Sequence, residues 1–261
     1  MDLFKHLKDN KAALIAEKKF KVKEADAIVF TPPLVTKELV NKEDPNEDIK
    51  DLKSITVSVV INTTNIMDSH GDVHMAGIWN KSLKETKLIY LLQEHQMKFD
   101  KIISDKVKAS IKTMSWSELG FTNLKGDTQA LVFDAVIDAE RNEFMFEQYL
   151  KGYVKEHSVG MRYISMDLCI NSEDKYYIDE KENWDKYIKE VANKDEAIAQ
   201  GFFWAVTEAK IMEGSAVVKG SNYATPTISM TPNKNIEADT VTSTKEQKPN
   251  NKQFFINQLK S

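Results

Sequence analysis

The sequence predicts a mainly β domain with helices, its strands paired mostly antiparallel, and three observations carry that reading. "SITVSVVINTT", from Ser54, alternates in the manner of a half-buried strand. In "DKVKASIKTMSWSELG" the residues Val107, Ala109, Ile111 and Thr113 stand two apart. "QALVFDAVID" then reads as a further strand, with Gly126-Asp127 as the turn between, and strands joined by a short turn pair antiparallel. With 261 residues the chain holds one large domain or two small ones, and at that size roughly 70% of the unfolded surface is buried on folding.

The other elements follow in order. "MDLFKHLKDNKAALIAEKKF" carries Leu3, Phe4, Leu7, Leu14 and Ile15 at helical intervals, so residues 1–25 are expected as an N-terminal helical extension. "AIVFTPPLVT" reads as a short strand broken by Pro32 and Pro33, and "EDPNEDIKD" as an acidic loop. "KLIYLLQEH" is an apolar run ending in polar residues. From Ala139 to Tyr153, strong helix formers with Gly152 near the end predict a helix that feeds directly into "KEHSVGMRY". Residues 171–200 turn highly charged and helical, an insertion in the main domain of residues 26–230, before "GFFWAVTEAKIMEGSAVV" returns to β-type residues. Residues 231–261 form a polar tail, expected to be flexible, that ends in "QFFINQL".

Composition excludes several classes of function. The chain has 36 basic and 40 acidic residues, a net charge of -4, and no concentrated basic block, so nucleic acid is not expected as a partner. The single cysteine, Cys169, lies in "ISMDLCI", which suits a buried packing residue in a reducing compartment and rules out an internal disulfide or a cysteine-rich zinc site. Lysines interrupt the N-terminal apolar residues, and no stretch approaches the length of a membrane span. A soluble intracellular protein is the expectation.

In "KEHSVGMRY" a histidine stands directly against a serine, which invites a nucleophile reading. Successive side chains on a strand point to opposite faces, however, so His157 and Ser158 diverge. A serine hydroxyl needs a neutral imidazole in hydrogen-bond reach and usually a third group to orient that ring. Besides His157 the histidines are His6, His70, His74 and His95. His6 sits in the N-terminal helix. His95 ends "LIYLLQEH", where a strand presents it at the edge of a core; an ordinary surface histidine fits the same position. Ser158 likewise fits a small strand residue, and Gly160 either permits close approach to a substrate or marks a bulge. In "MDSHGDVHMAGIW", His70, Asp72 and His74 stand two apart and would share one face of a strand as a metal set. Gly71 and the Asp-Ser start equally fit a turn that scatters them. The Gly-x-Ser-x-Gly elbow of α/β-hydrolases is absent, because position 156 is Glu.

Taken in order, "MDSHGDVHMAGIW", "LLQEHQMKFDKIIS", a helix leading to "EHSVGMRY", and "WAVTEAKIMEGSAVVKGSNYATP" resemble the prohead proteases of tailed bacteriophages, a family related in fold to the herpesvirus assemblins. The resemblance covers about residues 55–228. Gly71, Asp72, Val73 and Gly77 match the family's first block, and its catalytic histidine, which ends an apolar strand, maps to His95. Ser158, Val159 and Gly160 match the Ser-hydrophobic-Gly block. In the closing strand Glu208 matches the acidic residue, ahead of "SNYATP"; Glu213 is a second acid nearby, and "MEGSAVVKG" departs from the family's usual proline-containing end.

This resemblance implies an antiparallel β-barrel of the assemblin type with a helix before the serine strand. It implies a serine endopeptidase with the triad His95, Ser158 and Glu208, needing no cofactor or metal. The expected site of action is the assembling prohead in the host cytoplasm. The expected substrates are scaffold protein, the major capsid protein and the protease itself, with self-association and with neither nucleic acid nor membrane as partner. The same fold without catalysis, as a capsid or scaffold-associated structural protein, is the alternative.

Overall fold

The computed structural model describes residues 2–20 and 52–233. The strand expected at 27–36, the acidic loop at 43–51 and the tail from 234 onward lie outside the described residues. Two helices, α1 (Leu3–Asp9) and α2 (Lys11–Phe20), open the chain. Then follow β1 (Ser54–Thr63), β2 (Asp72–His74), α3 (Asn80–Glu85), β3 (Leu91–Gln93), β4 (Ile102–Ser104), β5 (Lys106–Ser115) and β6 (Asp127–Asp138). The second half comprises α4 (Glu143–Leu150), β7 (Glu156–Ile170), α5 (Ile178–Tyr187), α6 (Lys194–Gln200), β8 (Phe202–Val217) and β9 (Thr227–Pro232).

The strands form two sheets. In the first, β5-β6-β1-β9, every pair is antiparallel. In the second, β7 runs antiparallel along the whole of β8, while β2 and β3 pair with β8 parallel and β4 pairs with β3 antiparallel. The chain is thus mainly β with helices, as expected, and α4 does precede the serine strand. Two expectations are corrected. The sheets are not closed into a barrel, and the second sheet is mixed, because β2 and β3 reach β8 through crossovers rather than hairpins.

Alternation along the strands builds the core. Ile55, Val57, Val59 and Ile61 of β1 and Leu131, Phe133, Ala135 and Ile137 of β6 pack against Val159, Met161, Trp204, Val206 and Ile211 of the facing sheet. The sheets approach closely at Gly214, where a Cβ would stand 2.5 Å from Phe133 Cε2 and 2.9 Å from Ile61 Cδ1. Burial of each large side chain in this layer contributes about 1.5–3 kcal/mol.

Two outer layers complete the packing. The connection between β5 and β6 is not a tight turn at Gly126-Asp127 but the whole of residues 116–126. It is anchored by Trp116, Leu119 and Phe121 against Val60, Ala130 and Val132 of the first sheet. On the second sheet, Trp184, Tyr187, Val191 and Ala197 of the helical insertion cover Val73, Cys169, Phe203 and Ala205. Burial pushes the Cys169 thiol far up, so it stays protonated as a packing group.

The N-terminal helices are bound to this body rather than extended from it. Lys8 and Lys11 each reach a carboxylate oxygen of buried Glu180 in α5 at 2.9 Å. Burial alone would raise that carboxyl, but the two lysines outweigh it and hold the group below the ordinary carboxylate range. Lys18 meets Asp72, fully buried on β2, at 2.7 Å. At the other end the expected tail boundary at 231 falls inside β9, whose last described neighbour, Asn233, donates its backbone N–H to Ser54. Among the described residues no helix is long and apolar enough to cross a membrane.

Candidate active site

The pairing of β7 with β8 brings the site together. Ser158 stands opposite Ser215, Val159 opposite Gly214 and Gly160 opposite Glu213. Directly opposed residues share a face, with Cβ atoms about 4.5–5.5 Å apart. With Gly214 turned into the core, Ser158, Gly160, Glu213 and Ser215 all lie on the outer face of the sheet. One step beyond, Met212 is bulged out of the pairing between Glu213 and Ile211. That bulge lets Ile211 face the core while Glu213 faces out.

His95 is delivered from the neighbouring strand. Leu91, Leu92 and Gln93 pair in parallel with Gly214, Ser215 and Ala216, after which Glu94 and His95 both adopt left-handed backbone, with φ of 51° and 57°. Such a conformation costs a residue other than glycine about 1–3 kcal/mol and persists only where its surroundings hold it. Here they do: Glu94 N–H donates to Ala216 O at 2.9 Å, and His95 N–H donates to Ser215 Oγ at 3.0 Å. The turn lays the imidazole back over β8, where Nδ1 meets Glu213 Oε1 at 2.6 Å. Ser215 Oγ donates to the other carboxylate oxygen, Oε2, at 2.6 Å.

A carboxylate only accepts, so Nδ1 carries the hydrogen and Nε2 of the neutral ring is left with its lone pair. The His95 and Glu213 side chains are 6% and 3% exposed, and Nε2 has no hydrogen-bond partner among the described residues. The Ser158 hydroxyl makes no hydrogen bond there either, to His95 or to any other described residue. The arrangement is an imidazole oriented by a carboxylate, with a serine hydroxyl on the same sheet face.

Of the three residues expected to act together, the structure places His95 and Ser158 in one neighbourhood and sets Glu208 apart. Glu208 lies opposite Ser165, five residues before Glu213, and pairs at the surface with Lys81 of α3 at 3.0 Å. The acid on His95 is Glu213. Ser215, which holds both the histidine backbone and the carboxylate, was not singled out from the sequence. Its signal was available in Glu213-Gly214-Ser215, since acid and hydroxyl two apart on a strand share a face.

His157 faces away from Ser158, as alternation requires. It is fully buried between Tyr149, whose hydroxyl donates to Nε2 at 2.9 Å, and Thr225 O, which accepts from Nδ1 at 3.0 Å. Burial lowers its pKa from 6.5 to about 4, although the Thr225 bond opposes the shift. Between about pH 6.5 and 4 the unfolded chain therefore binds a proton that the folded chain refuses, and stability falls as pH falls through that window. The full effect is about 3 kcal/mol. Denaturant midpoints measured from pH 7 to pH 4 are expected to drop accordingly, and the variant His157→Gln to lose this part of the slope.

His70, Asp72 and His74 do not form a metal cage. The turn at 68–71 takes His70, whose N–H donates to Asp68 Oδ1. Asp72 and His74 lie on β2, where Tyr163 bonds both: its hydroxyl is 2.9 Å from Asp72 Oδ2 and 3.0 Å from His74 Nε2. His74 Nδ1 is 3.0 Å from Asn62 Oδ1, and Asn222 in turn reaches Asn62. Burial first, then the adjacent Asp72, push the Tyr163 phenol well up. Among the described residues no group of three or more His, Cys, Asp or Glu is arranged to hold a metal ion. The motif works instead as a buried hydrogen-bonded chain tying α2, β2 and β7 to the segment before β9.

No protein-family model, curated protein or solved structure matches this chain.

Proposed function

We propose that the chain is a serine endopeptidase with His95 as general base, Ser158 as nucleophile and Glu213 as the orienting acid. The observation that carries this reading is the 2.6 Å contact between Glu213 and His95 Nδ1, which leaves Nε2 unpartnered on the sheet face that bears Ser158. In the reaction the Ser158 hydroxyl attacks a peptide carbonyl and passes its proton to His95 Nε2. Glu213 stabilises the resulting imidazolium, which then protonates the leaving amine; water releases the acyl group by the same steps in reverse.

The order of the sequence blocks supports a role in phage capsid maturation, with scaffold and major capsid protein as substrates inside the prohead, on a fold of the assemblin type. Incubating the full chain with a scaffold protein and following intact masses tests it. The wild type is expected to cleave, and Ser158→Ala to be inactive with an unchanged circular-dichroism spectrum. Equal cleavage by both proteins overturns the assignment.

One observation favours a second reading, a structural capsid protein on the same fold: no hydrogen bond joins Ser158 to His95. Hydrogen bonds of this kind are often long without substrate and tighten in the reacting complex. An inert wild type in the presence of scaffold would favour the structural role.

A further inference from the structure

A groove of about 390 Å³ opens beside the triad, within the range of specific ligand sites. Gln93 and Glu94, immediately before His95, form one wall, and Glu156, two residues before Ser158, lies on another. Between them stand Phe144, Tyr153 and Val218, which are 61%, 66% and 86% exposed. Three large apolar side chains gathered open to solvent at one groove mark a surface built to be covered.

The chain carries a segment with the matching chemistry. Phe254 and Phe255 are the only aromatic residues after Tyr223, and with Ile256 they stand between Lys252 and Lys260. Those lysines complement Glu94 and Glu156, the two carboxylates of a groove whose lining carries one lysine, Lys155. Phe254 lies 21 residues beyond Asn233, a reach of up to about 70 Å, more than the width of a domain of this size. We propose that this groove is the apolar subsite of the peptide cleft and that its occupant is the chain's own segment 252–260, seated by Phe254 and Phe255. The position of the subsite beside Ser158 rests on the endopeptidase reading, and a segment held there lies alongside the nucleophile as a substrate of the same site. Hydrolysis adds one water across the peptide bond and needs no other reactant.

Binding of a fluorescent peptide of residues 250–261 to full-length protein, followed by anisotropy, tests the proposal. All proteins carry Ser158→Ala, so nothing is cut. In the first protein the native tail competes for the groove; in the second, Phe254→Ser and Phe255→Ser release it, and the peptide is expected to bind about tenfold or more tightly. Adding Phe144→Asp or, separately, Val218→Asp to the second protein is expected to weaken binding about tenfold. Both side chains are exposed, so the fold is retained. Equal binding to the first two proteins, binding that neither groove variant weakens, or no binding overturns the proposal. Failure of the catalytic reading appears separately, as a wild type without Ser158-dependent cleavage.

Discussion

Glu213→Gln is expected to lower Ser158-dependent cleavage by about 10³-fold or more, while Glu208→Gln leaves the rate unchanged. The orienting acid of such a triad fixes the imidazole tautomer and stabilises the imidazolium, and an amide in its place does neither. Glu213 also accepts the Ser215 hydroxyl on its second oxygen. An amide offers one oxygen and one N–H₂, so either His95 Nδ1 or Ser215 Oγ meets a donor. Glu208 pairs with Lys81 at the surface, where a single exposed pair contributes little. Initial rates of scaffold cleavage for the two variants, with thermal unfolding as the control for folding, decide between the acids. A larger loss for Glu208→Gln would reverse the assignment.

Gly160→Ala is expected to remove activity and to destabilise the fold by about 1–3 kcal/mol, the range of overpacking in a full site. Glu213 lies across the space a side chain would take: a Cβ on residue 160 would stand 1.8 Å from Glu213 Oε1 and 2.7 Å from its Cδ. No real Cβ tolerates such contacts. The carboxylate must therefore move, and with it goes the hydrogen bond that orients His95. Removing the carboxylate removes the conflict, so in a Glu213→Ala background the same glycine substitution is expected to cost little further stability. Denaturant midpoints for the four proteins of this cycle measure the coupling. Additive effects would mean that Gly160 matters for some reason other than room for Glu213.

This glycine shows how far the sequence reaches. Gly160 was legible as a strand glycine that either admits a close approach or marks a bulge. The structure shows the bulge, immediately beside Gly160, and the group that crowds this glycine is a carboxylate of the neighbouring strand rather than a substrate. Local patterns determined much else. The alternation of β1, β5 and β6, the helix ahead of the serine strand, the charged helical insertion expected at 171–200 and the divergence of His157 from Ser158 all follow from local composition and periodicity, which depend on few neighbours.

What lay beyond reach depends on partners distant in the chain. Whether Glu208 or Glu213 meets His95 turns on register, because β3 pairs with residues 214–216 of β8, next to Glu213, while Glu208 lies five residues further back along the strand. That His95 leaves the strand in a left-handed turn depends on Ser215, 120 residues away, accepting its backbone N–H. The fate of His70, Asp72 and His74 was decided by Tyr163 and Lys18, and that of residues 116–126 by aromatic anchors on a sheet face the local pattern does not name. The sequence by itself determined which segments are strands and helices and which side chains are capable of the chemistry. Only the tertiary structure decided which of them meet, because register and strand order are set by packing summed over the whole sheet.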